Sequence, residues 1–275
     1  MESKAFDGFV FEMGEGGIAT IRFNRPDRLN PNDPWMDHEI IELLFRAQHD
    51  DSVRVLVFTG TGRAFCAGDD MSGEWRKKAP QDLPRGKPGP LTTYFGLRTS
   101  TQALIRAIRD FDKLTVASIN GFAIQTGLSI ALACDFRIAA EEARLGRGTI
   151  RFALMPDEGG HWLLVQTLGV PRTIDFLLRK RIVSGREAFE MGLVHEVCPL
   201  EDLPEHTQAL AQELAAGPQA AMRLLKKAVY RAAHLTMTEA MDDIAVRTAI
   251  TDHHPDAREG VMAFREKRPA RYGQD

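Results

Sequence analysis

Residues 53–59, Val-Arg-Val-Leu-Val-Phe-Thr, are almost continuously apolar and β-branched. A strand of that composition has no solvent face and must be covered on both sides, as strands of a parallel sheet are when helices pack on each face. The neighbouring sequence fits that demand. Residues 9–13 and 18–23 read as strands around the turn Gly14-Glu15-Gly16-Gly17. Asp33-Pro34 opens a helix, with Asp as N-cap and Pro first in the helix, and Met36, Ile40, Leu43, Leu44 and Ala47 form its apolar face. Further strands are expected at residues 116–119 and 135–139, with a helix from about Gly127. Another helix is expected through Leu97, Leu104, Ile105 and Ile108. After the strand at 135–139 the chain is expected to turn helical. Ser184 with Glu187 and Thr236 with Glu239 have capping-box spacing, Pro218 opens a helix carrying Met222, Leu225 and Val229, and a last helix covers residues 255–268. Strands alternating with helices, then helices alone, indicate an α/β core with a helical C-terminal region. Pattern alone leaves a doubly wound sheet and a spiral of ββα turns equally open.

Composition limits the function classes. Of 275 residues, 35 are basic and 38 acidic, so the net charge of −3 offers no field for nucleic acid or an anionic membrane. An anionic ligand needs a local cluster instead. Cys66, Cys134 and Cys198 fit neither zinc-ligand spacing nor a disulfide framework, and are expected to be thiols in a reducing compartment. With no apolar leader at the N-terminus, the protein is expected to be cytoplasmic. Residues 72–90, rich in Pro, Gly, Lys and Arg, read as one long surface loop.

Four segments together resemble the crotonase (enoyl-CoA hydratase/isomerase) superfamily. They are IRFNRPDRLN (21–30), VLVFTGTGRAFCAGDDM (55–71), ASINGFA (117–123) running on to Cys134-Asp135, and SGREAFEMGLV (184–194), in the family's order. The resemblance implies an α/β fold, the crotonase-type spiral of ββα turns with a helical C-terminal region. Residues 1–199 would form the core with the coenzyme A site, and 200–275 a helical oligomerisation region. Assembly as a homotrimer or homohexamer is implied. Coenzyme A enters as part of the acyl-CoA substrate; no separate cofactor, no metal and no nucleic-acid or membrane partner is expected.

The resemblance also assigns site residues. The residue after Gly68, Asp69, would give one oxyanion-hole N–H, and Thr126, at a helix N-terminus, the other. Such donors polarise a thioester carbonyl and hold the enolate that forms. The family surrounds the second donor with glycines; here the run is Gln125-Thr126-Gly127, keeping only one. The two glutamates of the family's hydratases fall on Ser129 and Thr149, neither of which can act as a carboxylate. Met155-Pro-Asp-Glu-Gly-Gly160 resembles the segment that carries a single catalytic carboxylate in the ring-epoxide isomerase of phenylacetate degradation, in 4-chlorobenzoyl-CoA dehalogenase and in peroxisomal enoyl-CoA isomerases. The matching residue is Asp157, with Glu158 next in register; an Asp there also suits a helix cap. The dehalogenase's histidine and tryptophan fall on Arg106 and Thr149. Coenzyme A is expected against Arg28, Leu29, Ala67, Asp70 and Met71, with Lys267 and Arg268 toward the phosphates.

One carboxylate suits moving a double bond, since the same base takes and returns the proton, whereas adding water usually uses paired groups. An enoyl-CoA isomerase is therefore expected, against a hydratase with an atypical site or a non-catalytic binding protein. If the Arg28 and Gly68 turns hold coenzyme A, free coenzyme A at millimolar concentration raises the melting temperature. An unchanged Tm in a thermal-shift titration contradicts the assignment.

Overall fold

The structure is a computed structural model describing residues 1–74 and 89–273. Strand β1 (Lys4–Ala5) pairs with β2 (Phe9–Met13), which runs antiparallel to β3 (Ile18–Phe23). Helix α1 (Pro34–Gln48) starts as its sequence dictates: Asp33 accepts from the Trp35 and Met36 N–H groups, and Pro34 takes the first position. Strands β4 (Val55–Gly60) and β5 (Ala64–Cys66) follow. Most of the loop expected over residues 72–90 lies outside the described residues. Helices α2 (Pro90–Thr99) and α3 (Thr101–Asp110) replace the single helix expected through Leu97 and Ile108, because the backbone breaks at Ser100 (φ −111°, ψ −104°).

Next come β6 (Leu114–Ile119), β7 (Phe122–Ile124), α4 (Thr126–Ala133), β8 (Phe136–Ala140), β9 (Arg144–Gly146) and α5 (Gly160–Leu178). After β10 (Ile182–Ser184), α6 (Gly185–Met191) and β11 (Glu196–Cys198), the chain continues in α7 (Leu203–Ala216), α8 (Gln219–Ala232), α9 (Met237–Asp252) and α10 (Pro255–Glu266). Both capping boxes form: Ser184 and Thr236 each exchange bonds with the glutamate three residues on.

The topology resolves the alternative that pattern left open. One sheet has the order β1-β2-β3-β4-β6-β8-β11, the other β10-β9-β7-β5. The first strands of successive turns, β4, β6 and β8, pair in parallel in the large sheet; the second strands, β5, β7 and β9, do so in the small one. Each turn therefore contributes one strand to each sheet, which is the spiral of ββα turns. Strands β4 and β6 are buried throughout, as an unalternating apolar run requires. Phe58, Phe65 and Leu128 belong to the main core; Val55, Val57 and Val116 meet Ala211 and Leu214 of α7 on the other side. Helix α8 is fastened by buried Lys226, whose ammonium donates to the Phe111 carbonyl (2.7 Å), the Lys113 carbonyl (2.9 Å) and Asp135 (2.8 Å). All three cysteines are free and buried. Among the described residues no helix is long and apolar enough to cross a membrane.

Asp37 of α1 is wholly buried. Asn32 (2.8 Å) and Thr101 (3.1 Å) donate to its carboxylate, but burial outweighs them and pushes its pKa up to about 7. The folded protein thus holds this proton more tightly than the unfolded chain, where Asp titrates near ~3.9. Its contribution to stability is full at low pH and is lost as pH rises through about 7. Urea midpoints of the wild type should carry this loss between pH 4 and 7, at no more than ~1.4 kcal/mol per pH unit. Asp37→Asn should flatten the slope; an unchanged slope assigns the pH dependence to other groups.

Candidate functional site

The expected coenzyme A residues come from two turns that fold against each other. Residues Pro26–Arg28 make a 3-10 turn that ends with Leu29 in the left-handed region. Asn30 holds the turn shut: its side chain accepts from the Arg25 N–H (2.8 Å) and donates to the carbonyls of Thr61 (2.9 Å) and Ala64 (2.7 Å). The Ala67 N–H donates to the Leu29 carbonyl at 3.0 Å, so Leu29 and Ala67 are neighbours. Arg28 bonds Asp70 (2.6 Å) and Ser72 (2.8 Å). Burial alone would raise the Asp70 pKa, but the bonds from Ser72 and Arg28 win and hold it below the usual carboxylate value. Asp70 thus offers a ligand the placement of Arg28 rather than its own carboxylate. Met71 is exposed beside it. Lys267 is the exposed left-handed cap of α10, and its N–H bonds only that helix's own carbonyls. Arg268 is ion-paired with Glu259 and Glu266.

The two residues expected to give the oxyanion donors are neighbours, joined through their side chains. Asn32 bonds the Gly68 carbonyl (2.8 Å) and the Asp70 N–H (2.7 Å). In this parallel bridge the N–H of the residue between them, Asp69, points away from Asn32. The Thr126 hydroxyl donates to the Asp69 carboxylate at 2.7 Å and ties the two segments together. Thr126 is the first residue of α4, where N–H groups have no intrahelical acceptor. Among the described residues, no backbone carbonyl accepts from either the Asp69 or the Thr126 N–H. The departure from the family's glycines has a visible consequence. Gln125 sits at φ 53°, ψ −117°, a conformation that costs a residue with a side chain on the order of 1–3 kcal/mol. With its oxygen turned toward them, its side-chain amide accepts from the Gly148 (3.1 Å) and Thr149 (2.8 Å) N–H groups, which offsets part of that strain. At Gly127 the glycine is required outright, because a Cβ there would lie 2.0 Å from the Cys66 carbonyl oxygen of β5.

The carboxylates divide by burial. Asp157 is exposed and lines a cavity of about 430 Å³ with Gln102, Ile105, Arg106 and Trp162. Burial of its surroundings and then repulsion from Glu158 raise its pKa. The capping role its position allowed is not taken: Gly159 is the N-cap of α5, and among the described residues no side chain caps the helix. Glu158 is 3% exposed and ion-paired with Arg147, itself 1% exposed. Burial would raise the Glu158 pKa, but Arg147 outweighs it and holds the carboxylate charged. Ser129 donates to the same carboxylate oxygen at 2.9 Å and is wholly buried. Glu158 is thus no free substitute for Asp157. His161 bonds the Pro156 carbonyl (3.2 Å), Trp162 stacks on His234, and Arg106 donates to the Arg98 carbonyl (3.0 Å), so none of them reproduces a dehalogenase pair. Arg147 escaped the sequence reading. Nothing in Gly146-Arg-Gly148 marks its arginine as buried, because only the packing of α4 and α5 over it does so.

A family model described as enoyl-CoA hydratase/isomerase matches residues 13–275. The probable enoyl-CoA hydratase of Rhodobacter capsulatus is 35% identical over 95% of this chain and 96% of its own. The 1,2-epoxyphenylacetyl-CoA isomerase of Escherichia coli is 31% identical over 96% of this chain and 98% of its own. The solved structure of an enoyl-CoA hydratase from Bacillus anthracis superposes with a TM-score of 0.88 at 27% identity, covering 98% of this chain and all of the other. The chain belongs to the enoyl-CoA hydratase/isomerase family of the crotonase superfamily, whose enzymes act on acyl-CoA thioesters.

Gly127→Ala tests the fit of α4 on β5. Its methyl group meets backbone rather than a yielding side chain, so a loss of roughly 1–3 kcal/mol is expected from urea unfolding. A variant as stable as the wild type means that the contact at Cys66 is looser than described.

Proposed function

We propose that this enzyme moves the double bond of an enoyl-CoA, with Asp157 as the one acid/base. The bound thioester carbonyl lies between the Asp69 and Thr126 N–H groups. The ionised Asp157 takes a proton from the carbon skeleton next to the carbonyl, and the electron pair flows into the carbonyl oxygen as an enolate. The two N–H groups hold that oxyanion. Asp157 then returns the proton to the other end of the allylic system, the carbonyl re-forms, and enzyme and proton inventory are unchanged. The observation that carries this reading is the division of labour between neighbours: the Asp157 carboxylate takes no side-chain hydrogen bond among the described residues, the Gln102 amide donating only to its backbone carbonyl (2.7 Å), while Glu158 is locked to Arg147 and Ser129.

A hydratase reading is weaker on the same ground. Ser129, at the first hydratase position, is wholly buried against Glu158 and is no surface on which to hold a reacting water. On the proposed reading coenzyme A is part of the substrate and no other cofactor takes part. Assembly as a homotrimer or homohexamer through residues 200–275 belongs to the proposal as well. It is supported by exposed apolar side chains on the C-terminal helices, among them Val229, Met237, Met241, Ile250 and Phe264.

Asp157→Asn should retain folding and coenzyme A binding while turnover drops by about 10²- to 10⁴-fold. Deuterium exchange at the acyl α- or γ-carbon should stop with it, whereas Thr149→Ala keeps most of both. Because the base works ionised and its pKa is raised, wild-type kcat/KM should climb with pH through a value above that of an ordinary aspartate. Near-wild-type turnover and exchange in Asp157→Asn would falsify the assignment.

A further inference from the structure

We infer that Arg147 is a positioning residue for the reaction, a buried guanidinium that holds the oxyanion-donor peptide and the acid/base segment from behind. The inference rests on the reading of Thr126 as an oxyanion donor. Arg147 Nη2 donates to the Gln125 carbonyl at 2.9 Å. That carbonyl belongs to the same peptide unit as the Thr126 N–H. It also accepts from the Ser129 N–H at 3.1 Å. A cationic donor on the carbonyl side draws electron density through the amide and makes the N–H on the other side a stronger donor, the cooperativity expected of chained hydrogen bonds in a dry site. The same nitrogen contacts Ser129 and the Glu158 carboxylate, and Glu158 is joined through one peptide bond to Asp157. One side chain thus fixes both halves of the site relative to each other.

Stability alone is a poor reason for this arrangement. A buried ion pair is often no better than an apolar pair of the same volume. This one also leaves Nε and Nη1 of the guanidinium without a partner among the described residues. The surroundings are nonetheless shaped around it: a Cβ at Gly160 would fall under 3.0 Å from both Arg147 and Ser129.

The test removes both charges together, so that no lone ion stays buried. In Arg147→Met/Glu158→Gln, [1-¹³C]butyryl-CoA, which is saturated and cannot isomerise, serves as the probe. Wild-type enzyme should lower the thioester carbonyl stretch in isotope-edited infrared difference spectra. The double variant should bind the probe with similar Kd, lose much of that downshift, and show kcat reduced about 10- to 100-fold with KM little changed. A folded double variant with wild-type frequency and wild-type kcat overturns the inference and leaves a structural ion pair. If wild-type enzyme itself produces no downshift, the oxyanion reading falls and this inference with it. Should the double variant not fold, Arg147→Lys keeps a cation opposite Glu158 but gives up the fixed fork that reaches the Gln125 carbonyl. The same loss of downshift is then expected, and a wild-type frequency counts against the role.

Discussion

The close approach of the N-terminus of α4 to strand β5 is the contact on which the site depends. It is possible because residue 127 has no side chain to meet the Cys66 carbonyl. With the helix seated there, the Thr126 hydroxyl comes within hydrogen-bond distance of the Asp69 carboxylate and joins segments 57 residues apart. The seating has its own strain, carried by Gln125 at positive φ. Such strain persists where surrounding bonds over-determine it. Here the surroundings are the Gly148 and Thr149 N–H groups on the side chain and Arg147 on the carbonyl.

Electrostatics sorts the acidic groups gathered around that contact. Asp69, Asp157 and Glu158 influence one another, and three carboxylates with no cation would all be pushed toward protonation. The buried guanidinium of Arg147 goes to Glu158, which stays charged and fixed. Asp69 is left with the Thr126 hydroxyl, and its pKa is raised, first by the burial of its surroundings. Asp157 is left lining the cavity with a raised pKa and no side-chain hydrogen bond to its carboxylate among the described residues. A carboxylate less willing to ionise than usual is also a stronger base, which suits a group that must take a proton from carbon and give it back. Neighbouring acids in one tetrapeptide thus acquire opposite characters from their surroundings.

Much of this was legible before any coordinates. The unalternating apolar run at residues 53–59 demanded a strand covered on both faces, and β4 is that strand. Asp33-Pro34 and the two capping boxes are local chemistry, decided within four residues, and all three formed. The ordered motifs are enough for the family, and they point to Asp69, Thr126 and Asp157 as candidates. The short strands β5, β7 and β9 were not legible, since three residues are too few to show alternation. The helix expected through Leu97 and Ile108 carried no visible break, because the residue at the break, Ser100, is neither Gly nor Pro.

The sequence by itself determined the local elements and the chemical types available: which segments extend, where helices start, and which residues can donate, accept or carry a proton. Those properties follow from side-chain shape and from neighbours a few positions away. Only the tertiary structure decided which of two adjacent acids is ion-paired, how a glutamine is held at positive φ ahead of α4, and that an arginine between two glycines is buried. Burial and pairing are properties of the space between α4, β9 and α5, elements that meet only once the spiral has closed.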